Sequence, residues 1–141
     1  MLRGWKRRLN SLGRHTLDSA DIQDYTVTVI AVDDATISEL NTRYLDHPWT
    51  TDVIAFTLQE PSEGALEGEV YICCDTARRQ ATEYNVKSAE EFARLTVHGL
   101  LHLCGWEDNT PKRKQTMRRQ ENKILSHMDI ALGSPDSNLA R

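Results

Sequence analysis

Trp5, Leu9 and Leu12 recur at three- and four-residue intervals, which predicts a first helix over residues 3–15. From Tyr25 to Val32 the period drops to two and β-branched residues dominate, the pattern of a strand. Asp33 and Asp34 then precede a short predicted helix over 35–41, where acids at the N-terminal end suit the helix macrodipole. Pro48 interrupts the chain before a second strand at 52–56. Residues 59–68 read as a polar connection, 69–74 as a third strand and 75–84 as a helix. Ser88 is expected to cap the next helix, with Glu91 three residues on completing a capping box. That helix runs to about Cys104 and is strongly apolar, with Leu95, Val97, Leu100, Leu101 and Leu103. Pro111 opens a last helix reaching about Met128, since proline is well tolerated at the first helical position. Three strands, several helices and tight connections predict an α+β fold, a small mixed β-sheet covered by helices. It forms a single domain over 1–132, and residues 133–141 form a small polar tail expected to be flexible.

Composition narrows the class. Hydrophobic residues make up 39% of the 141 and charged residues 27%, the balance of one globular domain with a real core. No apolar run approaches the roughly 20 residues that would span a membrane. The basic N-terminus lacks the apolar stretch of a signal peptide, so a cytoplasmic protein is expected. Cys73, Cys74 and Cys104 are odd in number, two are adjacent, and none shows CxxC spacing, so they read as buried free thiols. The net charge is −4, yet 11 of the 17 basic residues fall in residues 1–14 and 112–123. Such stretches can hold a polyanion locally, or can simply be two solvated helix faces, which composition alone favours.

The candidate chemistry lies in Val97-His98-Gly99-Leu100-Leu101-His102-Leu103-Cys104-Gly105-Trp106-Glu107-Asp108. Histidines four apart share a helix face about one turn apart, so His98 and His102 can converge on one metal ion. Gly105 can adopt the positive φ that ends a helix, and the turn would bring Asp108 round as a third ligand. By itself an HxxxH pair also fits one hydrogen-bonded core histidine and one surface histidine. The apolar helix, the glycine and the carboxylate tip the balance towards a metal site. Two imidazoles, a carboxylate and an open position suit one catalytic zinc ion, with Fe(II), Mn(II) or Ni(II) tolerated. Such an ion lowers the pKa of its water towards about 7. Gly99 stands where a peptidase would carry its glutamate, which disfavours peptide hydrolysis and suggests room for a bulky substrate beside the metal. His15, His47 and His127 lack such context and read as incidental surface residues.

The stretch from His98 to Asp108 resembles the pattern H-G-x-L-H-L-x-G-Y-D-H of the YbeY family of bacterial endoribonucleases. Leu40-Asn41 with Tyr44, and Thr51-Asp-Val-Ile-Ala-Phe56, resemble the family's L-N-x-x-Y-R and T-D-V-L-S-F. Gly68-Glu-Val-Tyr-Ile72, Gln80-Ala81, and Met117 with Glu121, Ile124 and Leu125 match further segments in order. The resemblance implies a small α+β fold with a single zinc ion on His98, His102 and the residue at 108. It also implies metal-dependent, single-strand-specific RNA cleavage in 16S rRNA 3′-end maturation and ribosome quality control, with rRNA and the small subunit as partners. Asp108 replaces the family's third histidine, and an anionic ligand there makes the metal a weaker Lewis acid. Glu107, where the family has aspartate, could orient a ligand or serve as a base. Leu45 falls where the family has an arginine suited to phosphate contact, and Arg43, two positions earlier, is the candidate substitute for substrate binding. Asp52 is either a support for the metal centre or a cap at the strand start. No catalytic base is assigned. The alternatives are a zinc-stabilised ribosome assembly or binding factor with little activity, and a hydrolase of peptides or small amides.

Overall fold

Leu66, Gly68, Val70 and Ile72 are buried and alternate with the more exposed Glu67, Glu69 and Tyr71, so the third strand, β3 (Leu66–Cys73), turns one face inward. In the computed structural model, which describes residues 1–45 and 51–132, β3 is the middle strand of three. β1 (Tyr25–Val32) runs parallel to it, with Tyr25 opposite Leu66 and Val32 opposite Cys73. β2 (Val53–Gln59) runs antiparallel, with Val53 opposite Ile72, and its register slips between Thr57 and Gln59. The sheet is mixed and the fold is α+β, as expected. β3 begins three residues earlier than the polarity of 59–68 suggested. Its glutamates occupy the open face of a two-residue alternation, where polar side chains need no connection to explain them.

Five α-helices complete the fold: α1 (Lys6–Ser19), α2 (Asp34–Leu45), α3 (Cys74–Tyr84), α4 (Ser88–Leu103) and α5 (Pro111–His127). Twelve of the sixteen residues of α4 are buried, which makes it the central helix of the molecule. On one side Leu95, Leu100 and Leu103 pack with Leu66, Val70 and Ile72 of the sheet. On the other, Ala93, Val97 and Leu101 meet Leu12 of α1 and Met117, Ile124 and Leu125 of α5. Ile37 of α2 closes the far face of the sheet over Ile54 and Cys73. Each fully buried aliphatic side chain contributes roughly 1.5–3 kcal/mol, so α4 is held firmly along its length.

Several helix ends differ from the sequence pattern. α1 starts at Lys6, beyond Gly4, and runs on to bury Thr16 and Leu17. α2 continues to Leu45 because Asn41 is buried beneath it, a polar residue that ended the apolar pattern early. Asp33 caps α2, its Oδ1 accepting from the Thr36 N–H at 2.8 Å. α4 is capped one residue earlier than expected: Glu90 Oε1 accepts from the Lys87 N–H at 2.9 Å. Lysine has no acceptor, so only that half of a capping box forms. Glu91 is buried and serves another purpose. Pro48, His47 and the tail 133–141 lie outside the described residues.

Candidate metal centre

The end of α4 is built by a Schellman turn. The Gly105 N–H donates to His102 O at 3.0 Å and the Trp106 N–H to Leu101 O at 3.0 Å, with Gly105 at φ +93°. This reversal brings Asp108 back over the face of α4 that carries the histidines. Asp108 Oδ2 lies 3.4 Å from His98 Nε2, and its Oδ1 lies 3.6 Å from His102 Nε2. The two Nε2 atoms are 3.0 Å apart. All three residues of the expected ligand set are thus brought together, within 4.8 Å.

Each ring is held by its far nitrogen. His98 Nδ1 donates to Glu121 Oε2 on α5 at 2.6 Å, and His102 Nδ1 donates to the Trp106 carbonyl at 3.0 Å. Both partners are acceptors, so each Nδ1 carries the proton and each Nε2 turns a lone pair inward. Two lone pairs and a carboxylate then face one point with no donor among them, the donor set of a divalent cation. Without a metal, a proton is the alternative guest. Burial opposes charge on His98, but the Glu121 hydrogen bond and the charges of Glu121, Asp52 and Asp108 outweigh it and raise the His98 pKa. Burial and the neighbouring His98 lower that of His102.

Glu121 is itself fixed. Arg94 donates to Glu121 Oε1 at 3.3 Å and to both oxygens of Glu91, at 3.0 and 2.6 Å. All three side chains are almost wholly buried. This chain from Glu91 through Arg94 and Glu121 to His98 gave one legible signal: acids and an arginine on otherwise apolar helix faces. Glu121 shares its face of α5 with Met117, Ile124 and Leu125, all buried.

A polar cleft of about 210 Å³ opens beside the centre, lined by Asp52, Gln80, Tyr84, Arg94, Leu95, His98, Asp108, Lys114, Arg118 and Glu121. Among the described residues, Asp52 makes no hydrogen bond or ion pair to any of the three candidate ligands. Its backbone carbonyl accepts from the Cys73 N–H at 2.9 Å, and its carboxylate faces the cleft beside Gln80. Glu107 turns away to pair with Arg113. Arg43 pairs with Glu39 at 2.8 Å on the exposed face of α2, and Leu45 is 45% exposed.

Gly99 requires a correction. It faces the sheet and not the cleft: a Cβ there would run into Val70 Cγ1 and stand 3.0 Å from Val53 Cγ2. The glycine lets α4 approach β2 and β3; it makes no space for substrate. His15 and His127 are also more than incidental, since their rings stack at 4.4 Å between α1 and α5. A second cluster, Asp34, Cys73 and Asp75, is already satisfied. Arg79 grips Asp34 at 3.0 and 2.9 Å, and Asp75 accepts from the Asp34 N–H at 2.9 Å. The larger cavity, about 450 Å³ between α1, β1 and α4, is mostly apolar and holds neither a carboxylate nor an imidazole. The cysteines are free thiols, as expected, but only Cys73 is buried, while Cys74 and Cys104 are half-buried.

Fold and centre together define a small mixed-sheet α+β domain whose central helix and the turn after it bring two oriented histidines and a carboxylate together beside a polar cleft. A family model described as Endoribonuclease YbeY matches residues 3–129. The Endoribonuclease YbeY of Salinibacter ruber is 38% identical over 120 residues, covering 80% of this chain and 76% of that protein. The Endoribonuclease YbeY of Chloroherpeton thalassium is 40% identical over 100 residues, covering 71% of this chain and 70% of that protein. A solution structure of a Thermotoga maritima protein is similar with a TM-score of 0.57 at 27% identity, covering 88% of this chain and 86% of that one. The chain belongs to the YbeY family. Among its described residues no helix is long and apolar enough to cross a membrane.

Proposed function

We propose that this protein is a cytoplasmic, metal-dependent endoribonuclease acting on single-stranded RNA, in 16S rRNA 3′-end maturation and small-subunit quality control. One zinc ion would be held by His98, His102 and Asp108. The observation that carries this reading is the convergence of three acceptor groups, each histidine locked from behind so that its Nε2 lone pair faces the same point. Relatives named as endoribonucleases over most of the chain support RNA as the substrate. Zinc bound there supplies a Lewis acid that polarises a phosphodiester and acidifies water at its open position.

The chain's own residues supply orientation. Glu121 and the Trp106 carbonyl fix the imidazoles, and the Schellman turn fixes Asp108 opposite them. Arg43, in an exposed ion pair of the kind that contributes little, is proposed as an outer contact to RNA beyond the cleft. Zinc content and cleavage of a single-stranded RNA, measured for His98→Ala, His102→Ala and Asp108→Ala, test the reading. Loss of zinc and of cleavage is expected, and full activity in all three variants would refute it. The carboxylate at 108 keeps a second reading alive, a zinc-stabilised assembly factor. Unfolding on chelation, with no cleavage by the zinc-loaded protein, would establish that instead.

A further inference from the structure

The cleft beside the metal centre carries charges of both signs. Asp52, Asp108 and Glu121 contribute acids and, on the same helix face as Glu121, Lys114 and Arg118 of α5 contribute cations. Four residues apart, these two share one helix face. The cleft's third cation, Arg94, is held by two carboxylates. Lys114 makes no ion pair among the described residues. No residue of α2 lines the cleft among those described. At about 210 Å³ the space is below that of a drug-sized pocket and suits a phosphate group better than a whole nucleotide.

Charge decides the matter. Glu91, Glu121, Asp52 and Asp108 against Arg94, Lys114 and Arg118, with a divalent ion in place, leave the region at +1. Without Lys114 and Arg118 it would stand at −1 and repel a phosphodiester. We propose that Lys114 and Arg118 together grip a backbone phosphate of the RNA strand, adjacent to the phosphate over the metal centre. This rests on the endoribonuclease reading and names where that activity holds its substrate. The other lysines and arginines of α5 face elsewhere: Arg113 is engaged by Glu107 and Asn109, and Lys112, Arg119 and Lys123 are exposed outside the cleft.

The test is binding of a fluorescein-labelled single-stranded RNA by the zinc-loaded full-length protein, chilled to slow cleavage, followed by anisotropy across a salt series. The double variant Lys114→Gln/Arg118→Gln removes the neutralisation of one phosphate. It should reduce the slope of log affinity against log salt by about 0.7, equivalent to about 5-fold weaker binding at about 0.1 M salt. Lys114→Arg/Arg118→Lys should keep the slope, which shows that charge and not folding is being read. At working temperature the Gln variant should raise KM about fivefold, by the same charge argument, while kcat and zinc content stay near wild type. An equal loss in Lys112→Gln/Arg119→Gln would overturn the proposal in favour of a diffuse basic helix. So would an unchanged slope and KM in the Gln variant of a protein that still cleaves RNA, which leaves the endoribonuclease reading intact. If the protein cleaves no RNA but the slope falls as described, the cleavage reading fails and the grip stands. Absence of any RNA binding by the wild type overturns both.

Discussion

Replacing Glu121 by glutamine perturbs the metal centre at the group behind a ligand. Glu121 is 2% exposed, and its two oxygens serve two donors, His98 Nδ1 at 2.6 Å and Arg94 Nη1 at 3.3 Å. Glutamine keeps the shape but offers one acceptor oxygen. With that oxygen on Arg94, the amide NH₂ faces His98 Nδ1, and the ring must shift its proton to Nε2, the ligand atom. With the oxygen on His98, the NH₂ meets the guanidinium, donor against donor, a buried mismatch of about 1–3 kcal/mol. Either arrangement raises the cost of holding the ion. Losses of such supporting contacts weaken metal binding about 10–100-fold, or about 1.4–2.8 kcal/mol.

Competition for zinc against a chromogenic chelator measures this directly, and pH adds a second signature of opposite sign. In the wild type the raised pKa of His98 makes a proton compete for the site from above the ordinary value of about 6.5. In Glu121→Gln the bond and charge of Glu121 are gone while burial and the charges of Asp52 and Asp108 remain, so His98 protonates at lower pH than in the wild type. The variant should bind zinc more weakly near pH 8, yet lose less of its affinity on acidification to about pH 6.5. Wild-type affinity with a wild-type pH profile would refute the role given to Glu121.

Three further outcomes follow from the same structure. Gly99→Ala drives a Cβ into Val70 and should cost about 1–3 kcal/mol by overpacking, lowering Tm by roughly 3–10 °C. Adding Val70→Ala should restore part of that loss, and an unchanged Tm in the single variant would contradict the helix–sheet contact. The metal-free protein gains stability from protonated His98 below its unfolded value, and loses that gain as pH rises through the raised folded value. The rise in Tm on adding zinc should therefore grow from about pH 6 to about pH 8, and a constant rise in a thermal-shift series would contradict this. Burial pushes the Cys104 thiol up to about 11. At about pH 8 its thiolate fraction is then about 0.1%, against about a quarter for a free cysteine. Iodoacetamide labelling followed by mass spectrometry should find Cys104 modified more than about 100-fold slower than free cysteine, and labelling at the free-cysteine rate would refute the burial argument.

The elements were legible wherever periodicity alone decided them. β1 ends where its alternation ends, and α5 begins at Pro111 behind the Thr110 cap. Periodicity failed where a residue's role depends on a distant partner. Ser88-Ala-Glu-Glu91 offers the complete capping box, yet α4 starts on Lys87-Ser-Ala-Glu90. Only the position of Arg94, which draws Glu91 inward, leaves Glu90 at the helix entrance. Gly99 was misread for a related reason. Adjacent residues on a helix point about 100° apart, so the neighbour of a ligand need not face the ligand's site, and here it faces Val70 and Val53.

The ligand trio was legible because His98, His102, Gly105 and Asp108 are close in sequence and one turn motif relates them. The groups behind it come from 23 residues away, as with Glu121, or from a backbone carbonyl that no side-chain pattern encodes. Those hidden groups change what Asp108 means. With histidine at 108 the ligands would be neutral, and Glu121 would be the anion bonded directly to a ligand. With aspartate, an ion at the centre is opposed by Asp108 directly and by Glu121 through His98, so its two positive charges attract a phosphate weakly. A nuclease built this way needs cations of its own beside the metal. Lys114 and Arg118 are the side chains on α5 that bring positive charge to the same cleft. The acid at 108 and the bases on α5 are on this view one adjustment. Asp108→His alone should then make RNA binding less dependent on Lys114 and Arg118, which the same anisotropy salt series with zinc bound to catalytically slow, chilled protein would reveal as a smaller effect of Lys114→Gln/Arg118→Gln; an undiminished effect would separate the two features.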